Sequence, residues 1–157
     1  MFKSLMHASF YCEDIDVIYD FYVNKLEAKP KMLIRNRAYA DKPGHIFYKQ
    51  AIENPDGLCI VYFELAPGQF VEFFPKMEGQ KQHTGFNEHV GYSHIGILVE
   101  DIFETKKKLE ARGLEFTEPK IGNSHTWQMW THDPEGNYME FMQYTDESFQ
   151  IVGHIDE

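Results

Sequence analysis

Basic residues are scarce in this chain. Fifteen lysines and arginines stand against 25 aspartates and glutamates in 157 residues, a formal net charge of −10 at pH 7. A surface of that sign repels a phosphate backbone, whose binding needs clustered Lys and Arg. The one cationic run, Lys106-Lys107-Lys108, falls on a predicted helix and reads as a solvated face. No nucleic-acid partner is expected. Cysteine is scarcer still. Cys12 and Cys59 are too few for a disulfide scaffold and lack the spacing of a metal-binding pair. They read as small buried hydrophobes rather than nucleophiles. Long apolar runs are missing as well: no stretch approaches the roughly 18 residues that span a bilayer. The opening "MFKSLMHASF" has neither the apolar h-region nor the small-residue cleavage site of a signal peptide. The expectation is a reduced, cytoplasmic setting with no membrane partner. Core material, in contrast, is plentiful. Hydrophobic residues make up 43% and aromatics 15%, which predicts one folded domain rather than a disordered chain.

One phrase is written twice. "MHASFYCEDID" spans residues 6–16 and "SHIGILVEDIF" spans residues 93–103. Aligning His7 with His94 sets Glu13-Asp14-Ile15 on Glu100-Asp101-Ile102 without a gap. Each phrase begins as a strand, "HASFY" or "HIGILV", and then enters a helical pattern. Ile15, Ile18, Tyr19, Tyr22 and Leu26 recur at helical spacing in the first copy, with Asp14 placed to cap the start. In the second copy Asp101 and Glu104 form a capping-box pattern and Gly113 a stop. A second matched pair closes each half: "GQFVEF" at residues 68–73 and "GNYMEF" at residues 136–141. Pro67-Gly68 and Asp133-Pro134-Glu135-Gly136-Asn137 are turn signals, since Pro presets φ and Gly supplies positive φ. Further strands are expected around "LCIVYFEL" and "HTWQMWTH". Two copies are too few for a solenoid, but they fit duplication of a βαβββ unit. The predicted organisation is α+β: one domain over residues 1–157, with a first module at about 4–75, a linker at 75–92, a second module at about 93–145 and a tail at 146–157.

On a strand alternate residues share a face. His7, Ser9 and Tyr11 therefore point one way, as do His94, Gly96 and Leu98 in the other copy. Phe70, Glu72 and Phe74 share a face on the closing strand, and Tyr138, Glu140 and Met142 do so on its counterpart. Each copy thus carries a mid-strand carboxylate among large apolar neighbours, costly by several kcal/mol unless compensated. No Arg or Lys occupies the corresponding place in both copies, whereas a histidine does. A lone strand histidine is more often a satisfied structural residue than a ligand, but the repeat supplies four suitable residues at equivalent places. His7, Glu72, His94 and Glu140 are predicted to converge in a pseudo-twofold site. Neutral imidazole with carboxylate suits a divalent first-row ion: Ni, Zn, Co, Mn or Fe. Four protein ligands on a six-coordinate ion leave two positions for water or a small-molecule substrate. His45, His83, His89, His125, His132 and His154 have no symmetric partner and read as loop, linker or tail residues, with His125 and His132 able to reach a pocket rim. Tyr11, Phe70, Phe74, Trp127, Trp130 and Tyr138 read as core or pocket wall.

These residues resemble a known family. "DPEGNYMEF" at residues 133–141 is similar to the closing motif of the vicinal oxygen chelate superfamily, which joins glyoxalases, bleomycin resistance proteins and dioxygenases, and "SHIGILVEDI" is the next most specific match. The resemblance runs from about His7 to Tyr144 and is strongest to glyoxalase I (lactoylglutathione lyase). It implies two βαβββ modules forming curved mixed sheets around a metal bound by His7, Glu72, His94 and Glu140. It also implies conversion of the hemithioacetal of a 2-oxoaldehyde, such as methylglyoxal, and a thiol into a 2-hydroxyacyl thioester, through an enediolate. Glu140 is then expected to be the mobile base, with Glu72 as the fallback, and glutathione or another thiol the cosubstrate. The family's glutathione-carboxylate site has no clear match; Arg35 and Arg37 are suggestive by position only. Residues 27–58 are also longer and more polar than the simplest members need. Small members commonly place the site at a twofold interface, so a homodimer is expected. The superfamily offers other functions. Methylmalonyl-CoA epimerase usually has an amide where this chain has Glu72, and an extradiol-type dioxygenase uses two histidines and one carboxylate. A metal-free drug-binding resistance protein needs none of the four residues.

Overall fold

A computed structural model of the chain describes residues 3–82, 88 and 90–155. His83 and His89 lie outside the described residues. The chain forms two compact units, residues 1–81 and 82–157, each built on one four-stranded mixed sheet.

In the first unit β1 (His7–Cys12) leads through α1 (Ile15–Asp20) to β2 (Lys29–Arg35), α2 (Tyr48–Glu53), β3 (Leu58–Ala66) and β4 (Gln69–Pro75). The sheet order is β1-β4-β3-β2, with β1 parallel to β4 and the other pairs antiparallel. The first strand therefore lies beside the last, which brings the two repeated phrases of the module together. Asp14 caps α1 as its position predicts, accepting from the N–H groups of Asp16 and Val17 at 2.9 and 3.2 Å. The helix then widens. Phe21–Lys25 is a π-helical turn, closed by the Leu26 N–H donating to the Phe21 carbonyl at 3.0 Å. Helical spacing predicts Ile18 and Tyr22 in the core, and both are buried, as is Phe21, three residues after Ile18. Tyr22 stacks on Phe63 with ring centroids 5.1 Å apart and leans on Phe73 at 5.1 Å. Val61, Phe63, Val71 and Phe73 complete this core, all from the helix-facing side of β3 and β4. Their alternates, including Tyr62 and Glu72, face the other way.

Between β2 and β3 the chain makes a 3₁₀ turn at Asn36–Tyr39 and then α2. The length and polarity of residues 27–58 are explained here: they supply β2 and an aromatic cluster. Tyr39 stacks on His45 at 4.2 Å, and Phe47, buried, stacks on Phe74 of β4 at 5.9 Å.

The second unit repeats the plan with shorter strands. It runs β5 (His94–Leu98), α3 (Ile102–Glu110), β6 (Lys120–Ile121), β7 (Trp127–His132), β8 (Tyr138–Gln143) and α4 (Phe149–Val152). Its sheet order is β5-β8-β7-β6, with β5 parallel to β8. Asp101 accepts from the Glu104 N–H at 2.9 Å at the start of α3, and Gly113 takes φ +84° just after its end. Ile102, Leu109, Met129, Met139 and Phe141 form the core. The turn before β8 is organised by Asp133, only 1% exposed. Its carboxylate accepts from the backbone N–H of Glu135 and of Asn137 and from Asn137 Nδ2, at 2.9–3.0 Å. The Pro and Gly of this stretch announce a turn; the aspartate that holds it closed is the addition the structure makes.

Candidate functional site

Parallel pairing of the outer strand with the closing strand decides where histidine and glutamate meet. On β1 and β4, His7 stands opposite Phe70 and Ser9 opposite Glu72. On β5 and β8, His94 stands opposite Tyr138 and Gly96 opposite Glu140. Histidine and glutamate are thus diagonal neighbours on one face, a separation that long side chains bridge. His7 Nε2 lies 3.6 Å from Glu72 Oε2, and His94 Nε2 lies 3.3 Å from Glu140 Oε2. The other ring nitrogen is engaged locally in both copies: His7 Nδ1 with Met6 Sδ, and His94 Nδ1 with Ser93 Oγ at 3.0 Å. Both imidazoles therefore aim Nε2 at the carboxylate, and both carboxylates are largely covered, with side chains 10% and 12% exposed.

The donor set fits a divalent ion. Two ligand atoms about 2.1 Å from one ion stand roughly 3.0 Å apart at a right angle and roughly 3.4 Å apart at the tetrahedral angle. The two His–Glu separations are close to these values. Each unit brings together one such pair, and among the described residues no group of three or more metal-ligating side chains gathers.

The surroundings of the two carboxylates differ. Glu72 accepts a hydrogen bond from Ser9 Oγ. It also lies opposite Tyr62 on β3. Burial, and then the hydrogen bond from its hydroxyl to Glu72, push Tyr62 up to about 12. The Tyr39 hydroxyl is raised as well, by burial first, then by Cys59 and the Glu72 charge. Around Glu140 the equivalent places hold Gly96 and Trp130. Trp130 meets His94 edge-on with centroids 4.7 Å apart, as Tyr62 meets His7 at 5.5 Å. Alternation along "HASFY" puts Ser9 on the histidine face without giving it a task. The β3–β4 register that delivers Tyr62 is visible only in the folded sheet.

Other candidates from the sequence take structural places. Arg37 pairs with the Asp56 carboxylate and Arg35 donates to the Asp56 carbonyl, so both guanidinium groups serve the turn before β3. His125 lies 3.4 Å from Glu147 and packs on Phe149, which also stacks on His154. His132 Nδ1 contacts the Asp133 carbonyl at 2.9 Å. Cys12 and Cys59 are buried, their thiols donating to the Phe74 and Ile34 carbonyls at 3.4 and 3.3 Å. Burial pushes the Cys59 thiol up to about 11, which keeps it protonated rather than nucleophilic. Lys107 and Lys108 are exposed, the solvated face read for that cationic run, whereas the Lys106 side chain is only 16% exposed and bridges Glu110 and Glu118. Among the described residues no helix is long and apolar enough to cross a membrane.

The same fold recurs in solved structures of low identity. A glyoxalase family protein from Enterococcus faecalis superposes with a TM-score of 0.66 at 19% identity, covering 90% of this chain and 98% of that one. A lactoylglutathione lyase from Agrobacterium tumefaciens gives 0.59 at 18% identity, covering 96% and 97%. TioX from Micromonospora sp. ML1 gives 0.59 at 15%, covering 91% and 100%. Identities this low carry the fold alone. Membership rests on sequence. The model of the glyoxalase/bleomycin resistance protein/dioxygenase superfamily matches residues 4–141 and takes in both repeated His–Glu phrases, and the chain belongs to that superfamily.

Proposed function

We propose that this protein is a metal-dependent lyase of the glyoxalase I type, isomerising the hemithioacetal of a 2-oxoaldehyde and a thiol to a 2-hydroxyacyl thioester. The observation that carries this reading is the duplicated His–Glu pair, with each Nε2 aimed at a covered carboxylate at 3.3–3.6 Å. His7, Glu72, His94 and Glu140 would hold the ion. A divalent first-row ion, when bound, supplies Lewis acidity that stabilises negative charge on neighbouring substrate oxygens.

The chain's own residues supply the rest. Glu140 takes the proton from the carbon that bears the sulfur, and the freed electron pair forms the carbon–carbon double bond of the enediolate. The hydroxyl proton passes between the two vicinal oxygens. Glu140 then returns its proton to the adjacent carbon, so one carboxylate serves as base and acid and no oxidant is consumed. The aromatic side chains beside the pairs, Tyr62 and Trp130, limit the water that reaches the carboxylates. The active form in this reading is a homodimer, each site taking one His–Glu pair from each chain.

The test starts with untagged protein. Its metal content is measured first, followed by turnover of methylglyoxal with glutathione, bacillithiol and CoA in parallel. Near-stoichiometric metal with turnover in one thiol is expected. Metal-free protein that is inactive with every thiol after loading with Ni, Zn, Co, Mn and Fe would overturn the proposal.

A further inference from the structure

The two His–Glu pairs offer an internal comparison, because equivalent strands place different residues around each carboxylate. Glu72 has Ser9 across from it on β1 and Tyr62 across from it on β3. Ser9 Oγ donates to it, and its carboxylate helps, after burial, to raise the facing Tyr62 hydroxyl. Glu140 has Gly96 and Trp130 in those two places. Among the described residues, its polar contact is His94. Glycine has no donor to offer there, and the Trp130 ring is turned edge-on against His94. The two carboxylates are nearly equal in exposure, 10% and 12%, so solvent does not account for the difference. It lies in the donors.

We propose that Ser9 and Tyr62 are positioning residues that hold Glu72 as the fixed carboxylate of the site, leaving Glu140 as the one that swings. This rests on the metal-dependent isomerase reading above and assigns the division of labour within it. A carboxylate that accepts from Ser9 and faces the Tyr62 hydroxyl gives up charge-assisted contacts when it rotates away, and such bonds are stronger than neutral ones. Glu140, which among the described residues faces an imidazole alone, has no such contact to give up. Residues that orient ligands in this way commonly change metal affinity or activity about tenfold to a hundredfold when removed.

The asymmetry can be reduced from either side. Ser9→Ala with Tyr62→Phe frees Glu72, and Gly96→Ser supplies Glu140 with the donor it lacks. A Cβ built on Gly96 meets only Met142 Sδ, at 3.9 Å, so a serine fits there. Metal release into a chelator and steady-state kinetics are measured on each, with circular dichroism to confirm folding and Ser9→Thr as the rescue. The double variant is expected to release metal about tenfold to a hundredfold faster, with release slowed again when threonine replaces alanine at position 9. Gly96→Ser is expected to release metal more slowly than wild type and to lose about tenfold in kcat at similar KM. Wild-type release in the folded double variant, or wild-type kcat in a Gly96→Ser protein that holds its metal, would overturn this assignment alone. A wild-type protein that neither binds metal nor turns over would overturn the isomerase reading together with it.

Discussion

Glu140 stands one diagonal step from His94 across the parallel strands β5 and β8, with His94 Nε2 3.3 Å from Glu140 Oε2. His7 and Glu72 repeat the step on β1 and β4 at 3.6 Å. The relationship depends on register: a slip of one residue would turn either partner to the opposite face, into the helix-packed core. Because Met139 and Phe141 on β8, and Val71 and Phe73 on β4, are buried on that opposite face, such a slip would also expose the core. Hydrophobic burial and the His–Glu geometry therefore enforce the same pairing.

Replacing the proposed base should separate chemistry from binding. Glu140→Gln keeps an oxygen that can ligate but removes the group that accepts the proton. Turnover is expected to fall by about 100-fold or more while most of the metal is retained. Elemental analysis beside a steady-state assay checks this, and wild-type rates would move the base to Glu72.

Loss of a histidine should do the reverse. His94→Ala leaves the carboxylates in place but removes a neutral nitrogen donor, so the purified protein is expected to carry little metal. The His94 side chain is about one-third exposed, so its removal should leave the far-ultraviolet circular dichroism spectrum nearly unchanged. A fully metallated His94→Ala protein would show that the ion is held elsewhere.

If each site draws one His–Glu pair from each chain, dissociation and metal release are a single event. Sedimentation across a dilution series is expected to show a dimer, with metal lost as monomer accumulates. A monomer with full metal occupancy would exclude the shared site and leave both pairs to be supplied within one chain.

Cys59 gives a prediction that does not depend on metal. Burial raises its thiol from 9.0 to about 11 in the folded chain. The unfolded chain therefore loses this proton at lower pH than the folded one. The stabilisation is fully present below about pH 9 and is lost as pH rises toward 11, at a cost on the order of 2 kcal/mol. Urea unfolding at pH 8 and pH 10.5 should show that decline in wild type, and Cys59→Ala should show a smaller one. Equal declines in the two proteins would assign the effect to other groups.

The repeat was legible because duplicated phrases keep their order and spacing even where individual residues differ. His7 and His94, Glu72 and Glu140, the capping residues Asp14 and Asp101, and the glycines Gly68 and Gly136 all follow from alternation, capping and turn chemistry, which act within a few residues of chain. The same local rules account for both sheets having a helix-facing apolar side.

Other features needed the folded chain. The π-helical turn at Phe21–Lys25 interrupts a pattern that reads as continuous helix in the sequence. The aromatic cluster of Tyr39, His45 and Phe47 gains its meaning only from Phe47 docking on Phe74, a strand residue distant in sequence. Most of all, the donors that distinguish Glu72 from Glu140 come from strands on either side of β4, whose pairings are non-local. Alternation tells which face a side chain takes, but only the register between strands tells which side chain lies beside it. The sequence by itself therefore determined the repeat, the fold class and the identity of the paired residues, whereas tertiary structure decided that Ser9 and Tyr62 reach one carboxylate while Gly96 and Trp130 stand beside the other.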